Sequence, residues 1–273
     1  MDVILNINDL KYKNIFNNLS IYIEKNKITT ISGKNNCGKT TLIRILRREI
    51  KLDSNIILYG KNINEYKPDE YLKIVRSVIP KEIIFIENTL EEELSFQSEL
   101  LDKDKRIFMN YIVKGLKIKR MLNKEINTLS TSEIVLAQIA VALINHPDIL
   151  LLDNIDNYLD LKELENVYNF LRDYRDKFGL TVIMTTIDLN QSLYSDYLYI
   201  IDEGRTLLSG EPITILQRDN SINKAGLNLP FMVDLSVKLR DYELITKLTL
   251  DMNRMVEELW KWYLKITNIK TIS

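Results

Sequence analysis

The stretch ISGKNNCGKTTLI, residues 31–43, decides the fold. It fits the pattern GxxxxGK followed by a hydroxyl residue, and it lies between an apolar, β-like run and a helix-like segment at residues 41–50. Glycines allow backbone N–H groups to turn towards phosphate oxygens, and the positive end of the following helix adds to that attraction. The stretch therefore predicts a strand, a phosphate-binding loop and a helix, in that order.

The side chains of the loop fit the same chemistry. Lys39 is expected to reach the terminal phosphates of a nucleotide, and the Thr40 hydroxyl is expected to bind Mg²⁺. We interpret Cys37 as a small filler residue, with a redox switch as the alternative. A glycine turn that only caps a helix would also explain the pattern, but the flanking strand and helix disfavour it. The nucleotide-binding residues predicted in the loop are Gly33, Lys34, Asn35, Asn36, Cys37, Gly38, Lys39, Thr40 and Thr41.

Outside the loop, short apolar runs such as KITTIS, DILLLD, LTVIMTT and YLYIID alternate with helix-like segments. Such runs are typical of buried parallel strands, so the chain is predicted to have an α/β fold. Between residues 88 and 145 the sequence becomes helical and rich in charge, which predicts a helical subdomain inserted into the core. We expect a main domain at residues 1–218 that carries this insertion, and a small α-rich C-terminal extension at residues 219–273.

Composition narrows the function classes. With 37 basic and 38 acidic residues the net charge is -1, so the overall charge does not favour nucleic acid as a partner. No apolar run approaches the roughly 18 residues of a membrane helix, and the first residues lack an apolar signal segment. The single cysteine excludes an internal disulfide. We therefore expect a cytoplasmic protein that binds no nucleic acid and reaches a membrane only through a partner.

A second motif supplies the carboxylate that a metal-dependent phosphate site needs. The apolar run ILLLDN, residues 149–154, ends in Asp153 and Asn154. Asp153 is predicted to bind Mg²⁺ together with Thr40, although a loop aspartate without a role would also explain it when taken alone. Asn154 carries an amide, which orients a water molecule but cannot take its proton.

From residue 2 to about residue 217, the order of these motifs resembles the nucleotide-binding subunits of ATP-binding cassette (ABC) transporters. The segment TLSTSEIVLAQIAVALINHPDILLLDNIDNYLD is similar to the family's signature, Walker B strand and D-loop, and SDYLYIIDEGRTLLSGEP resembles the strands that follow. ENTLEEELSF and AGLNLPFMVDLSVKLRD resemble segments of the ATPases of energy-coupling factor (ECF) importers. The resemblance implies a P-loop NTPase fold with an ABC-type ATPase core, and ATP with Mg²⁺ as its ligands.

The resemblance also implies roles for particular residues. Tyr12 stands where the family stacks an aromatic ring on adenine, and Asp160 stands in the D-loop. Dimers of the family hold ATP between the phosphate loop of one subunit and the signature of the other. The signature towards the partner site is here Ser130, Thr131, Ser132 and Glu133. The implied partners are a second ABC ATPase subunit and a transmembrane coupling subunit, which would place the chain peripherally on the inner face of the cell membrane.

Four motifs depart from the family's pattern. Asn154 replaces the catalytic glutamate, Ile187 replaces the switch histidine, and Pro80 falls where a glutamine is expected. The signature reads LSTSE, so its two glycines and its glutamine are replaced as well. A site without these groups is expected to bind Mg-ATP and to hydrolyse it poorly. We therefore predict an ATP-binding subunit of an ECF-type transporter that works in a heterodimer with an active ATPase.

Several alternatives stay open. The chain could be a soluble ABC-like ATPase or regulator without a membrane partner, or an unrelated phosphate-loop kinase, which the downstream motifs disfavour. Asp156 is a candidate substitute base, although its position past a strand end disfavours it. Ser130 and Glu133 also fit the S-x-x-E pattern of a helix cap, and both roles are compatible. The acidic cluster within residues 87–93 is interpreted as solvated surface, with electrostatic docking of a partner as the alternative.

Overall fold

The computed structural model describes residues 2–53, 55–82, 85–97 and 103–270. Within those ranges the strands are β1 (Val3–Tyr12), β2 (Phe16–Glu24), β3 (Ile28–Ser32), β4 (Ile56–Leu58), β5 (Lys61–Asn62), β6 (Val75–Val78), β7 (Ile149–Asp153), β8 (Thr181–Thr186), β9 (Tyr197–Asp202) and β10 (Arg205–Gly210). The α-helices are α1 (Lys39–Leu46), α2 (Pro68–Ile74), α3 (Leu90–Gln97), α4 (Lys103–Gly115), α5 (Thr131–Leu143), α6 (Leu161–Phe178), α7 (Pro212–Leu216), α8 (Asp219–Lys224), α9 (Phe231–Asp241) and α10 (Met252–Lys270).

The strands form two sheets. The smaller sheet is antiparallel, with the order β2-β1-β4-β5. The larger sheet has the order β10-β9-β3-β8-β7-β6, in which β10 runs antiparallel to β9 and the other pairs are parallel. β3, β7 and β8 are buried along their whole length, because separate apolar clusters cover the two faces of this sheet. The predicted α/β fold is confirmed.

The parallel strands end at one edge of the larger sheet and bring the predicted site together. β3 ends at Ser32, directly before the phosphate loop, and Ser32 pairs with Thr186 at the end of β8. Asp153 is the last residue of β7, and Val78, the last residue of β6, pairs with Leu152 beside it. Ligands of open parallel sheets bind at the carboxyl ends of the strands, which is where these residues converge.

The helix after the loop is shorter than predicted. α1 starts at Lys39 and ends at Leu46, whereas the sequence pattern predicted a helix at residues 41–50. Arg48 adopts a φ of 62°, in the left-handed region, so a right-handed helix cannot continue through it. The predicted boundaries of this helix were therefore wrong, although its place directly after the loop was correct.

The charge-rich segment predicted to be helical contains α3, α4 and α5, and its residues 98–102 lie outside the described ranges. Glu93 on α3 is fully buried. Its carboxylate accepts hydrogen bonds from the N–H groups of Ile86 and Glu87 at 2.8 and 2.9 Å and from the side chain of Gln97 at 2.8 Å. The interpretation of the acidic cluster as solvated surface was wrong at Glu93, because buried N–H groups require an acceptor there.

Within the described ranges, three helices, α8, α9 and α10, follow the core at the C-terminal end. α8 and α9 pack on β9 through a third apolar cluster. α10 buries Met255 but exposes Val256, Trp260 and Tyr263, which share one face of the helix. No helix within the described ranges has both the length and the apolar character that crossing a membrane requires.

Candidate nucleotide-binding site

The phosphate loop is a tight turn between β3 and α1. Gly38 caps α1 with a φ of 102°, and a Cβ atom added there would lie 2.6 Å from the ring of Phe16. A Cβ atom on Gly33 would meet the carbonyl oxygen of Ile201 and the sulfur of Cys37. Neither position has room for a side chain, so both glycines are required for the loop to close as a cradle.

Lys39 lies inside this cradle and is almost fully buried. Its ammonium donates hydrogen bonds to the carbonyl oxygens of Gly33 and Lys34 at 2.5 and 3.0 Å. Burial lowers the pKa of Lys39, and the nearby Cys37 sulfur and Asp153 carboxylate oppose that shift. The hydrogen bonds hold the long side chain at the start of α1, where the helix attracts phosphate oxygens.

A hydroxyl and a carboxylate meet at the metal position that the sequence predicts. The Thr40 hydroxyl donates to Asp153 Oδ1 over 3.3 Å, and the Thr185 hydroxyl and the Asn154 amide donate to the same oxygen at 2.6 and 2.9 Å. No donor from the described part of the chain reaches the other oxygen, Oδ2. Mg²⁺ typically takes one or two protein oxygens together with phosphate oxygens and water. Thr40 and Asp153 therefore fit this ion.

The loop opens on a cleft of about 570 Å³. Asn154 and Ile187 line this cleft together with six of the predicted loop residues. Those six are Asn35, Asn36, Gly38, Lys39, Thr40 and Thr41. The structure therefore brings the phosphate loop and two of the three predicted catalytic positions into one cavity.

Other predicted nucleotide residues lie beside the cleft and do not form its wall. Tyr12 ends β1 and is half-buried against the core, with the Lys13 ammonium 5.1 Å from the centre of its ring. Lys34 forms an ion pair with Asp202 at 2.9 Å, and that contact raises the pKa of Lys34. Cys37 is buried among apolar side chains, which agrees with its interpretation as a filler residue.

The cleft wall is poor in groups that promote hydrolysis. Asn154 adopts a φ of 48°, its Nδ2 donates to Asp153, and its Oδ1 is buried without a hydrogen-bond partner among the described residues. An amide has no basic lone pair for the proton of an attacking water. Ile187 presents an alkyl side chain to the same cavity, so it donates no hydrogen bond to a phosphate.

Pro80, Lys81 and Asp156 lie near the cleft, and only Lys81 forms part of its wall. Pro80, which falls where the family has a glutamine, is buried after β6 and is absent from the cleft wall, whereas the next residue, Lys81, lines it. Sequence reasoning missed Lys81. Asp156 accepts a hydrogen bond from the Thr186 hydroxyl at 2.7 Å, and its burial raises its pKa. Since Asp156 does not line the cleft, it is poorly placed to act as a substitute base.

The predicted signature forms the start of α5. Ser130 Oγ accepts a hydrogen bond from the N–H of Glu133 at 3.3 Å, and the Glu133 carboxylate accepts one from the N–H of Ser130 at 3.0 Å. The capping-box interpretation is therefore confirmed. Lys124 pairs with Glu133 at 2.6 Å and lowers the pKa of that carboxyl. Asp160 caps α6 in the same way with Glu163, and neither helix start lines the cleft of its own chain.

This geometry defines a class of protein. A phosphate loop that joins a parallel strand to a helix, with an aspartate from another strand of the same sheet at the metal position, is the site of a P-loop nucleotide-binding protein. A family model described as ABC transporter matches residues 16–157, which is more than half of the chain. The chain belongs to the ABC transporter family. It therefore binds ATP, with Mg²⁺ as the usual partner of the nucleotide.

Known relatives and solved structures resemble the chain over most of its length. The zinc import ATP-binding protein ZnuC of Ehrlichia ruminantium (strain Gardel) is 29% identical over 223 residues, which cover 80% of this chain and 88% of that protein. The energy-coupling factor transporter ATP-binding protein EcfA1 of Mesomycoplasma hyopneumoniae (strain 7448) is 27% identical over 253 residues, which cover 90% of this chain and 91% of that protein. The structure of cbiO1 from Clostridium perfringens, described as part of the ABC transporter complex cbiONQ, gives a TM-score of 0.71 at 24% identity, covering 86% of this chain and 99% of that one.

The comparisons confirm the predicted family, the P-loop fold class and the ligands ATP and Mg²⁺. The chain is an ATP-binding subunit of the ABC transporter type, and its relatives include ECF transporter ATPases. The roles assigned to individual site residues stay predictions.

Proposed function

We propose that this chain is the ATP-holding subunit of an ECF-type importer. It binds Mg-ATP at its own site, hydrolyses it poorly, and works in a heterodimer with an active ABC ATPase. The observation that carries the proposal is the position of Asn154. Its amide lies in the wall of the nucleotide cleft, hydrogen-bonded to the metal-binding Asp153, where catalysis needs a proton acceptor.

Impaired hydrolysis follows from the chemistry of the cleft wall. A water that attacks the γ-phosphate needs a group to take its proton, and loss of a positioned base typically costs about 10²- to 10⁴-fold in rate. The charge that develops on the phosphate also needs a donor, and Ile187 provides none. Asp156, the nearest carboxylate along the chain after Asp153, bonds to Thr186 instead of lining the cleft. The site keeps groups that bind nucleotide and lacks groups that cleave it.

A heterodimer follows from the loss of the catalytic glutamate and the switch histidine in this chain. A homodimer would contain two impaired sites, so we propose a partner ATPase that retains the glutamate and the histidine. The surface offered to the partner's nucleotide is the N-terminus of α5, where the Ser130 and Ser132 hydroxyls lie 3.4 Å apart. The positive end of the helix suits a γ-phosphate held by the partner, although the signature glycines are replaced.

A second cleft suits a transmembrane coupling subunit. It measures about 480 Å³ and lies between β6 and α5. Two buried atoms in its wall, Nε of Arg76 and Oε1 of Gln138, lack a hydrogen-bond partner within the described ranges. Burial lowers the pKa of Arg76, whereas the neighbouring Arg47 is paired with Glu49 and Glu82 at 2.6 and 2.5 Å. A partner helix that brings an acidic side chain into this cleft would satisfy Arg76.

We assign the parts of the chain accordingly. Residues 1–218 form the ABC ATPase domain, residues 88–145 form its inserted helical subdomain, and residues 219–273 form an extension that packs on the partner subunit. On α10, Trp260 and Tyr263 are 60% and 51% exposed and stack with ring centroids 5.6 Å apart. Large apolar side chains grouped on one helix face typically mark a contact surface. The transmembrane subunit would hold the chain on the inner face of the cell membrane.

Purification from native membranes tests this assembly. We expect the chain to co-purify with a transmembrane subunit and with one ABC ATPase that has glutamate and histidine at the positions of Asn154 and Ile187. Arg76→Glu should release the chain from the membrane fraction, while Lys51→Glu, an equal charge change at an exposed site outside both clefts, should not. Size-exclusion chromatography with mass analysis that shows only self-association would reject the heterodimer. A chain that never accompanies a membrane protein would favour a soluble regulator instead.

A further inference from the structure

Lys81 is a second lysine in the nucleotide cleft, and none of the family motifs accounts for it. Its side chain lines the same cavity as Lys39, Thr40, Asn154 and Ile187. It is exposed to solvent, and within the part of the chain that the structure describes it forms no ion pair or hydrogen bond. Its ammonium is therefore available to an anion in the cleft.

The charges of the cleft wall suit a phosphate group. Among the described residues that line the cleft, Lys39 and Lys81 carry the only formal charges, and both are positive. Lys39 is already held by the carbonyl oxygens of Gly33 and Lys34. Lys34 itself points elsewhere, because it pairs with Asp202 at 2.9 Å. Of these lysines, Lys81 is thus the one whose ammonium donates no hydrogen bond to another described residue.

The register of the sheet places Lys81 at the terminal-phosphate end of the cleft. β6 and β7 are parallel neighbours, and Val78 at the end of β6 pairs with Leu152, the residue before Asp153. Neighbouring strands lie about 4.8 Å apart, so the residues just beyond β6 and β7 emerge side by side. Asp153 marks the metal position beside the last two phosphates. The side chain of Lys81 therefore lies on the side of the cleft where the metal and the last phosphate are expected.

We propose that Lys81 binds the γ-phosphate of ATP and makes this site prefer the triphosphate over the diphosphate. The proposal deepens the proposed function, since it rests on this site holding intact nucleotide. The ammonium adds a charge-assisted hydrogen bond that ADP cannot make. A protonated lysine has no lone pair for the proton of a water molecule. Lys81 therefore supplies a donor that Pro80 and Ile187 lack, without restoring the base that Asn154 lacks.

Calorimetric titration of the full chain with Mg²⁺ and either a non-hydrolysable ATP analogue or ADP tests this role. In Lys81→Met the Kd for the ATP analogue should rise about tenfold, which is the size expected for the loss of one partly exposed ionic hydrogen bond. The Kd for ADP should change by less than about twofold, because ADP has no γ-phosphate. Lys81→Arg keeps the charge and should retain most of the preference. Lys51→Met removes a lysine charge outside the cleft and should change neither affinity.

Equal changes of both affinities in Lys81→Met, or no change in either, would overturn the proposal. So would a Lys81→Arg variant that loses the preference as completely as Lys81→Met. Thermal melts confirm that the variants are folded, which is expected because the side chain is exposed.

Failure of this proposal and failure of the proposed function give different results. Suppose that Lys39→Ala abolishes binding of both nucleotides and that Lys81→Met changes both Kd values by the same factor. The cleft is then the nucleotide-binding site, but Lys81 does not select the γ-phosphate. If the unmodified chain hydrolyses ATP briskly, impaired hydrolysis falls, and the affinities measured with the non-hydrolysable analogue still decide the role of Lys81.

Discussion

Replacing Asn154 with glutamate should not by itself restore ATP hydrolysis to the isolated chain. The glutamate supplies a proton acceptor, but Ile187 still provides no donor at the switch position. A Lys81 ammonium that already binds the γ-phosphate of intact ATP stabilises the bound state as well as the transition state, so it does not replace that donor. Groups that act as one catalytic unit are strongly non-additive, so returning one of them recovers little. We expect Asn154→Glu to stay near the background rate of Lys39→Ala. The double variant Asn154→Glu with Ile187→His should be the first to show clear turnover.

General magnitudes for such groups set the expected size of each effect. Loss of a base lowers the rate by about 10²- to 10⁴-fold, and loss of one transition-state donor by about 10²- to 10³-fold. Asn154 also adopts a φ of 48°, and most residues other than glycine, asparagine and aspartate pay about 1–2 kcal/mol in the left-handed region. Glutamate there loses the 2.9 Å hydrogen bond to Asp153 and places a second carboxylate beside it. The variant should therefore be less stable without nucleotide and should recover with Mg-ATP.

Phosphate release at saturating Mg-ATP, calorimetric binding and thermal melts measure these expectations. Lys39→Ala sets the background and should abolish binding, because it removes the buried ammonium of the cradle. Asn157→Glu is the matched control, since it adds a carboxylate to the same cleft at a position without a predicted catalytic role. Brisk, Lys39-dependent phosphate release by the unmodified chain would refute the impaired site. Full turnover by Asn154→Glu alone would refute the coupling of the two losses.

Three further substitutions have expected outcomes. Ser130→Asp keeps a capping side chain for α5 but puts a negative charge towards the partner's γ-phosphate. We expect Tm to change little and the ATPase activity of the heterodimer to fall about tenfold or more. Unchanged activity would contradict the role of the signature. Asp156→Asn should raise Tm at neutral pH, because burial raises the pKa of Asp156 and its ionised form costs stability above that pKa. The gain should shrink as pH falls towards 3.8, the ordinary value for this carboxyl, and a gain that grows on acidification would contradict this reasoning. Gly115→Ala places a Cβ atom against the ring of Phe170 and should lower the free energy of unfolding in urea by about 1–3 kcal/mol; an unchanged midpoint would mean that the ring can move aside.

The phosphate loop was predictable because its constraints are local. Gly33 and Gly38 are the residues that the backbone needs, and Lys39 and Thr40 follow at fixed spacing, so the sequence contains the whole argument. Asp153 was predictable for a related reason, since a buried apolar strand that ends in a carboxylate is visible as a pattern. The end of α1 was not, because a residue such as Arg48 adopts a positive φ through its tertiary surroundings.

Lys81 and Glu93 show where sequence reasoning stops. A lysine after a proline has no periodicity, and its place in the cleft follows only from the pairing of β6 with β7. Glu93 stands in a run of three glutamates that resembles a solvated surface, yet two backbone N–H groups and the Gln97 amide converge on it in the fold. The place of Lys81 depends on the pairing of two strands that are far apart in sequence. The partners of Glu93 are only four, six and seven residues away, but they converge on its carboxylate only once the backbone is folded, which composition and spacing do not describe.

If this site holds ATP and hydrolyses it poorly, as proposed, that difference changes how the proposed heterodimer opens. A ligand that binds only the closed pair stabilises it by RT ln(1 + [L]/Kd), about 2.7 kcal/mol when ATP is in hundredfold excess over Kd. At the partner's site that stabilisation ends with each hydrolysis event, whereas at this site it lasts until ATP dissociates. If Lys81 selects the γ-phosphate, ADP stabilises the closed pair less than ATP does, so the lifetime of the closed pair depends on dissociation of the triphosphate from this cleft. One cleavage at the partner's site would then open half of the interface while this chain keeps the two subunits together for the next cycle.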